Sequence, residues 1–209
     1  MAVIRGLHAE LLKRQVEKAF KRKGHAFFDG KKSHNLNIVG VRNSSGSSDK
    51  FDDILMVVYR NDDLEWEVLS YQITTEPGPS ILRKPINAKG TAVLVPGQYR
   101  STYKISTHGG SYRHVALCQR SGKVSVYRDT DKDGKPETTG KIETGMFGIN
   151  IHRHARSGEK EYVRGSSAGC QVFKDSRQFS QFMGACNKSA DQFGNSFTYT
   201  LIEEKDMET

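Results

Sequence analysis

The chain has 209 residues and a formal net charge of +8, with 35% hydrophobic and 27% charged residues. That composition describes a globular domain able to close a core without disulfides or a structural metal, and no apolar run reaches the roughly 20 residues that a membrane-spanning helix needs. The opening MAVIRGLHAELLKRQ interrupts its apolar character with Arg5, Glu10 and Lys13 before an h-region can form, so no signal peptide is expected.

Residues 3–23 read as an amphipathic basic helix. Leu7, Leu11, Leu12, Val16, Ala19 and Phe20 recur at helical spacing, and Lys13, Arg14, Lys18, Lys21, Arg22 and Lys23 load the other side, with Gly24 as the stop. Such a helix either packs on the domain with its basic face in solvent or lies on an anionic surface. Residues 1–25 form this appendage, and 26–209 read as a single β-rich domain. NSSGSSDK, 43–50, is a polar loop. Short β-like runs follow at 54–60, 66–74, 91–97, 114–120 and 123–128, with hairpin connections expected at Asn61-Asp62-Asp63 and Ser121-Gly122. The prolines of TTEPGPS, 74–80, exclude it from a central strand. GMFGINIH, 145–152, reads as a strand ending at His152. A helix at 176–190 carries Phe179, Phe182, Met183 and Cys186 on one face, which makes Cys186 a packed residue, and 197–204 is the last strand. The fold class is therefore mainly β with flanking helices.

The three cysteines, Cys118, Cys170 and Cys186, are odd in number and widely spaced, which fits neither a disulfide framework nor a zinc set. No cofactor or bound metal is expected. Asp129, Asp131 and Asp133 alternate before Gly134 as in the first half of a calcium loop. Position nine is Glu137, but position twelve is Gly140 rather than glutamate, and the flanks are strands, so the segment reads as an acidic β-turn. The charge favours an acidic polymer as partner. Lacking helix-turn-helix, zinc-finger or aromatic-interleaved basic signatures, the chain gives nucleic acid little support.

The most informative window is GINIHRHARSGEKEYVRGSSAGCQVF, 148–173. A thiolate nucleophile needs a group that takes its proton, usually an imidazole. Gly169 lets the backbone turn tightly just before Cys170. His152, a span of fourteen residues, then Ser167-Ala168-Gly169-Cys170 resembles the signature of L,D-transpeptidase catalytic domains of the YkuD type, in a divergent form like that of bacteriophage proteins. The resemblance implies an L,D-transpeptidase-like β-sandwich or barrel, with Cys170 as the acyl-accepting nucleophile. It makes His152 the base and the backbone carbonyl of Arg153 the group that orients it, with Ser167 and Gly169 shaping the pocket. The family commonly has a second histidine where this chain has Ala168, and Arg or Asn shortly after the cysteine, where this chain has Gln171 and Val172. Those departures bear on the substrate. His108 is a candidate to replace the missing histidine, His154 is the alternative base, and Arg153 and Arg156 are candidates to hold a substrate carboxylate. Gln98 and Tyr99 are further groove candidates.

The implied partner is peptidoglycan, along with other virion proteins if the chain is a virion component. The implied location is the bacterial cell wall, reached from the cytoplasm through phage-type release or on a virion. The implied reaction is acyl transfer on stem peptides, with hydrolysis favoured. The alternative is a non-enzymatic virion or wall-binding protein that keeps the fold around an inert thiol.

Overall fold

The computed structural model describes residues 2–44, 46–109 and 113–207. In chain order the elements are β1 (Ala2–Ile4), α1 (Gly6–Lys23), β2 (Asn37–Arg42), β3 (Asp53–Arg60), β4 (Trp66–Thr74), α2 (Pro79–Arg83), β5 (Thr91–Leu94) and β6 (Gly97–His108). Then come β7 (His114–Gln119), β8 (Val124–Asp129), β9 (Ile142–Gly145), β10 (Ile151–Arg153), β11 (Gln171–Phe173), α3 (Ser176–Phe193), β12 (Phe197–Glu203) and a 3-10 turn at Glu204–Met207. The protein is mainly β, with a large mixed sheet and three α-helices.

The large sheet runs β1-β4-β11-β10-β7-β6-β12-β2-β3, and β3 also pairs with β4. The sheet therefore closes into a ring of eight strands, with β1 added outside on β4. Two pairs are parallel, β10 with β11 and β12 with β2. The ring is not evenly knitted. β2, β3 and β4 share long antiparallel registers, whereas β10 meets β7 only at Ile151↔Leu117 and β11 meets β4 only at Val172↔Thr74 and Phe173↔Ile73. A second sheet, β5-β8-β9, lies apart from the ring.

Alternation along the strands explains the two sides. On β2 to β4, Ile38, Leu55, Val57, Leu69, Tyr71 and Ile73 join the interior cluster, and Val39, Val41, Met56, Val58, Trp66 and Val68 face the other way. The second set is covered by Ala9, Val16, Ala19 and Phe20 of α1. Gly24 ends α1 in the left-handed conformation, φ 68°, and its N–H returns to the last turn. Lys21, Arg22 and Lys23 sit where the helix dipole favours cations. On α3, Phe179, Phe182, Met183 and Cys186 join the interior with Phe173 and Tyr71, so Cys186 is the packed residue its spacing implies.

Four expectations need correction. The apolar face of α1 is narrower than its spacing indicates, because Leu7 and Leu11 are exposed. Residues 145–152 are not one strand. β9 ends at Gly145, β10 starts at Ile151, and Gly148 between them has φ 72°, while the amides of 147–149 bond to a side chain rather than to a ladder. Ser121-Gly122 joins strands of different sheets and is not a hairpin turn. Gln98 and Tyr99 line no groove: Gln98 bonds Ala26 on both its amide atoms, and the Tyr99 hydroxyl donates to the Val95 carbonyl. The turn after Asn61 does join β3 to β4, and Pro79 opens the short helix α2 instead of a strand.

Candidate active site

The site sits on β10 and β11, where the ring is most thinly paired. Their parallel register places Ile151 beside Gln171 and His152 beside Val172. Ile151 and Phe173 face the interior cluster, and the side-chain Oε1 of Gln171 accepts the hydroxyl of interior Tyr199 at 2.8 Å. Val172, at the intervening position, packs with Phe51 and Val163, and Cys170 packs against these three. Alternation puts His152 and Val172 on one face of the paired strands, and Cys170 directly precedes β11.

His152 is 7% exposed. Its Nδ1 lies 2.8 Å from the Arg153 carbonyl. A carbonyl only accepts, so Nδ1 carries the proton and Nε2 is left as the basic nitrogen. That is the orientation expected of Arg153. His108 stacks on His152, with ring centroids 4.1 Å apart and planes 17° from parallel. His114, across the β6–β7 pair from His108, is 6.0 Å from His152 edge to face.

Cys170 is half-buried. Its Sγ accepts the backbone N–H of Asn150 at 3.4 Å and donates to the Gly148 carbonyl at 3.5 Å. Among the described residues no imidazole is hydrogen-bonded to the sulfur. Burial pushes the thiol up to about 11, opposed by the Asn150 amide, and burial together with neighbouring His108 holds His152 down to about 3. At neutral pH the two groups are therefore an uncharged thiol and an uncharged imidazole, not an ion pair.

Two polar side chains that carried no role in the sequence organise this corner. Asn150 accepts the Gln119 N–H on Oδ1 at 2.9 Å, so its Nδ2 is the donor to His108 Nδ1, also at 2.9 Å. Gln119, 1% exposed, accepts the amides of Phe147, Gly148 and Ile149 on its Oε1 and donates Nε2 to the carbonyls of Gly122 and Gly145. One buried amide thus shapes the loop whose Gly148 carbonyl meets the thiol. The sequence offered a weak signal, a glutamine at the end of the apolar run HVALCQ.

Ser167 is fully buried and braces the turn before the cysteine. Its hydroxyl donates to the Cys170 carbonyl at 2.8 Å and accepts the Gly169 N–H at 3.1 Å. It supports the loop that leads into the cysteine. Gly169 has φ 118°, and a Cβ there would lie 2.3 Å from the Ala92 carbonyl oxygen.

His154 follows β10, which ends at Arg153; its ring packs edge to face on Phe51, its Nδ1 is buried with no hydrogen-bond partner among the described residues, and its charge acts on His152. Arg153 turns its guanidinium onto the Arg156 carbonyl at 3.0 Å, and the Arg156 side chain is exposed with no contact to the cysteine.

Concavity and chemistry do not coincide. A cleft of about 810 Å³ lies between Arg42, Glu76, Arg83, Lys135, Arg164 and Lys205. Much of its charge is neutralised, with Arg164 paired to Asp49 and Lys205 to Glu203. A groove of about 360 Å³ between Ile81, Thr91, Ala92, Arg128, Phe147 and Ala168 runs beside the cysteine loop. Among the described residues no three His, Cys, Asp or Glu side chains are arranged to hold a metal ion outright. A scan against protein-family models finds no match, and a search of curated proteins finds no similar chain.

The depressed His152 pKa has a consequence for stability. Below the ordinary histidine value of 6.5, the unfolded chain takes up a proton at this residue that the fold refuses until about pH 3. The contribution of His152 is thus full above 6.5 and lost as pH falls through that window. Relative to His152→Gln, the parent is expected to lose about 1.4 kcal/mol per pH unit between pH 6 and 4. Urea unfolding of both proteins at stepped pH measures this. A pH-independent difference would mean that the imidazole is not held neutral by burial.

Proposed function

We propose that this protein is a cysteine acyl-transfer enzyme acting on the stem peptides of bacterial peptidoglycan, of the kind L,D-transpeptidases represent. The observation that carries the reading is the His152 Nδ1–H bond to the Arg153 carbonyl, on a strand paired with the one that follows Cys170. It leaves Nε2 free to take the thiol proton as sulfur attacks a peptide carbonyl. The C–N bond of the substrate then breaks, the amine leaves with that proton, and water or a second amine resolves the thioester. Because both groups are neutral at rest, proton transfer accompanies attack, as in serine enzymes, instead of preceding it as in papain-like pairs. The net charge of +8 suits an anionic wall polymer. The thiol must first rotate from the Gly148 carbonyl toward His152.

A second reading rests on the same sulfur. Its two bonds are to backbone groups, and its pKa is raised, which fits an inert thiol in a virion or wall-binding protein. Purified peptidoglycan of several stem compositions, incubated with the protein with and without an added D-amino acid as amine acceptor and analysed by mass spectrometry, separates the two. Shortened or exchanged stems are the expected result. Unchanged murein under both conditions would discard the enzyme in favour of the binding role.

A further inference from the structure

The loop joining β8 to β9 contains a carboxylate that the rest of the fold leaves half-satisfied. Asp129, the last residue of β8, is fully buried. Its Oδ2 accepts the backbone N–H of Glu137 from across the loop at 3.0 Å, so the carboxylate faces into the loop. Its Oδ1 is buried and has no hydrogen-bond partner. Buried polar atoms in native folds are almost always paired, and an exception calls for an explanation such as an ion. Asp131, Glu137 and Asp133 all bear on this carboxylate, and after burial itself their charges oppose its ionisation. No lysine or arginine forms an ion pair with it among the described residues.

The order of residues around this oxygen is that of a calcium loop through its first nine positions. Asp129, Asp131 and Asp133 stand at the first, third and fifth, and Gly134 at the sixth takes the left-handed turn, φ 89°. Lys135 supplies a backbone carbonyl at the seventh, and Glu137 stands at the ninth. The side chains of Asp131 and Asp133 are exposed, and each accepts a backbone N–H of the loop on Oδ1, from Asp133 at 3.1 Å and from Lys135 at 2.6 Å, which leaves the Oδ2 of each for a cation. That no three carboxylates converge outright is compatible with calcium. This ion takes six to eight oxygens in flexible geometry and draws on carbonyls and water as well as carboxylates.

We propose that residues 129–137 form a calcium site anchored on Asp129, with Asp131, Asp133, Glu137 and the Lys135 carbonyl as further oxygen donors. The proposal is independent of the acyl-transfer reading. Adjoining Arg128 bonds Glu143 at 3.0 Å and lies over the Phe147 ring, 4.8 Å from its centroid, in the groove beside the cysteine loop. Calcium would therefore fix the end of β8 against that groove.

The test uses the full chain freed of divalent ions on a chelating resin, titrated calorimetrically with calcium chloride and, in parallel, magnesium chloride. One calcium site with a Kd of about 10⁻³ M or tighter is expected, with a higher Tm at saturation and a much weaker response to magnesium. Asp129→Asn keeps an acceptor for the Glu137 amide and is expected to weaken calcium binding at least about tenfold. The double variant Asp131→Asn/Asp133→Asn, confined to exposed side chains, should do the same while leaving the Tm of the calcium-free protein unchanged. Absence of heat and of any Tm rise at about ten times the expected Kd would overturn the site. An equal response to magnesium, or parental affinity in the double variant, would do so too. If Asp129→Asn fails to fold, the double variant decides the question.

Discussion

Cys170→Ala is expected to remove all turnover of a stem-peptide substrate, and His152→Gln to lower kcat/KM by about 10²–10⁴-fold, the range for loss of a positioned general base. The glutamine keeps a donor for the Arg153 carbonyl and a similar shape beneath His108, so the fold should survive while proton transfer does not. Nucleophile and base act as one unit, so the double variant should be no slower than Cys170→Ala alone. Rates of muropeptide conversion, with circular dichroism to verify folding, measure this series. A folded His152→Gln protein with parental activity would sink the assignment of the base, and parental activity in Cys170→Ala would sink the nucleophile. His154→Gln serves as the contrast. His154 follows β10 and its ring packs edge to face on Phe51, and activity is expected to stay near the parent's.

Gly169→Ala should be among the most damaging single-methyl additions in the chain. At φ 118° an L side chain is strained, and the new Cβ would fall 2.3 Å from the Ala92 carbonyl oxygen. A strained backbone site costs about 1–3 kcal/mol, and forcing an extra methyl into packed surroundings about another 1–3 kcal/mol. The neighbour struck is backbone of β5, which cannot rotate aside. For a chain of this size a lowered Tm of roughly 5–15 °C follows. The Ser167–Cys170 brace should also fail, taking activity with it at temperatures where the protein is still folded. Differential scanning calorimetry checks the first effect. Gly184→Ala in α3, whose Cβ meets nothing within 4 Å, should change Tm little. A Gly169→Ala protein as stable as the parent would mean that the loop before the cysteine is not held against β5.

The parts of the fold that follow a clean period were legible from residue order. α1 and α3 show the helical repeat, β3, β4 and β12 are runs of apolar and β-branched residues, and each lies within a few residues of its expected span. β2 was not legible because all six of its residues are buried: α1 covers one side and the interior the other, so no alternation survives. β6 was hidden by its irregularity, since Ser101 has positive φ and the pairing with β12 shifts register between Phe197 and Tyr199. The pattern around 145–152 was misleading because Gln119 supplies the hydrogen bonds that a strand partner would have given.

The candidate site was legible as two residues but not as an arrangement. Residue types and spacing single out His152 and Cys170. The stack with His108 depends on the β6–β7 pair reaching β10, a contact some forty residues away in sequence. Asn150 has no signature and Gln119 only the weak one of closing an apolar run, because a buried amide is ordinary until its partners are known.

The placement of β12 between β6 and β2 orders events during folding. β2, β3 and β4 can zip together as soon as residues 37–74 are available, since each pairs with its neighbour in sequence. The facing edges of β2 and β6 find their partner only when residues 197–203 arrive. Until then each offers an unpaired strand edge to solvent and to other chains. Closure through such distant pairing is slow. The nascent chain is accordingly most prone to aggregate just before its final strand is inserted.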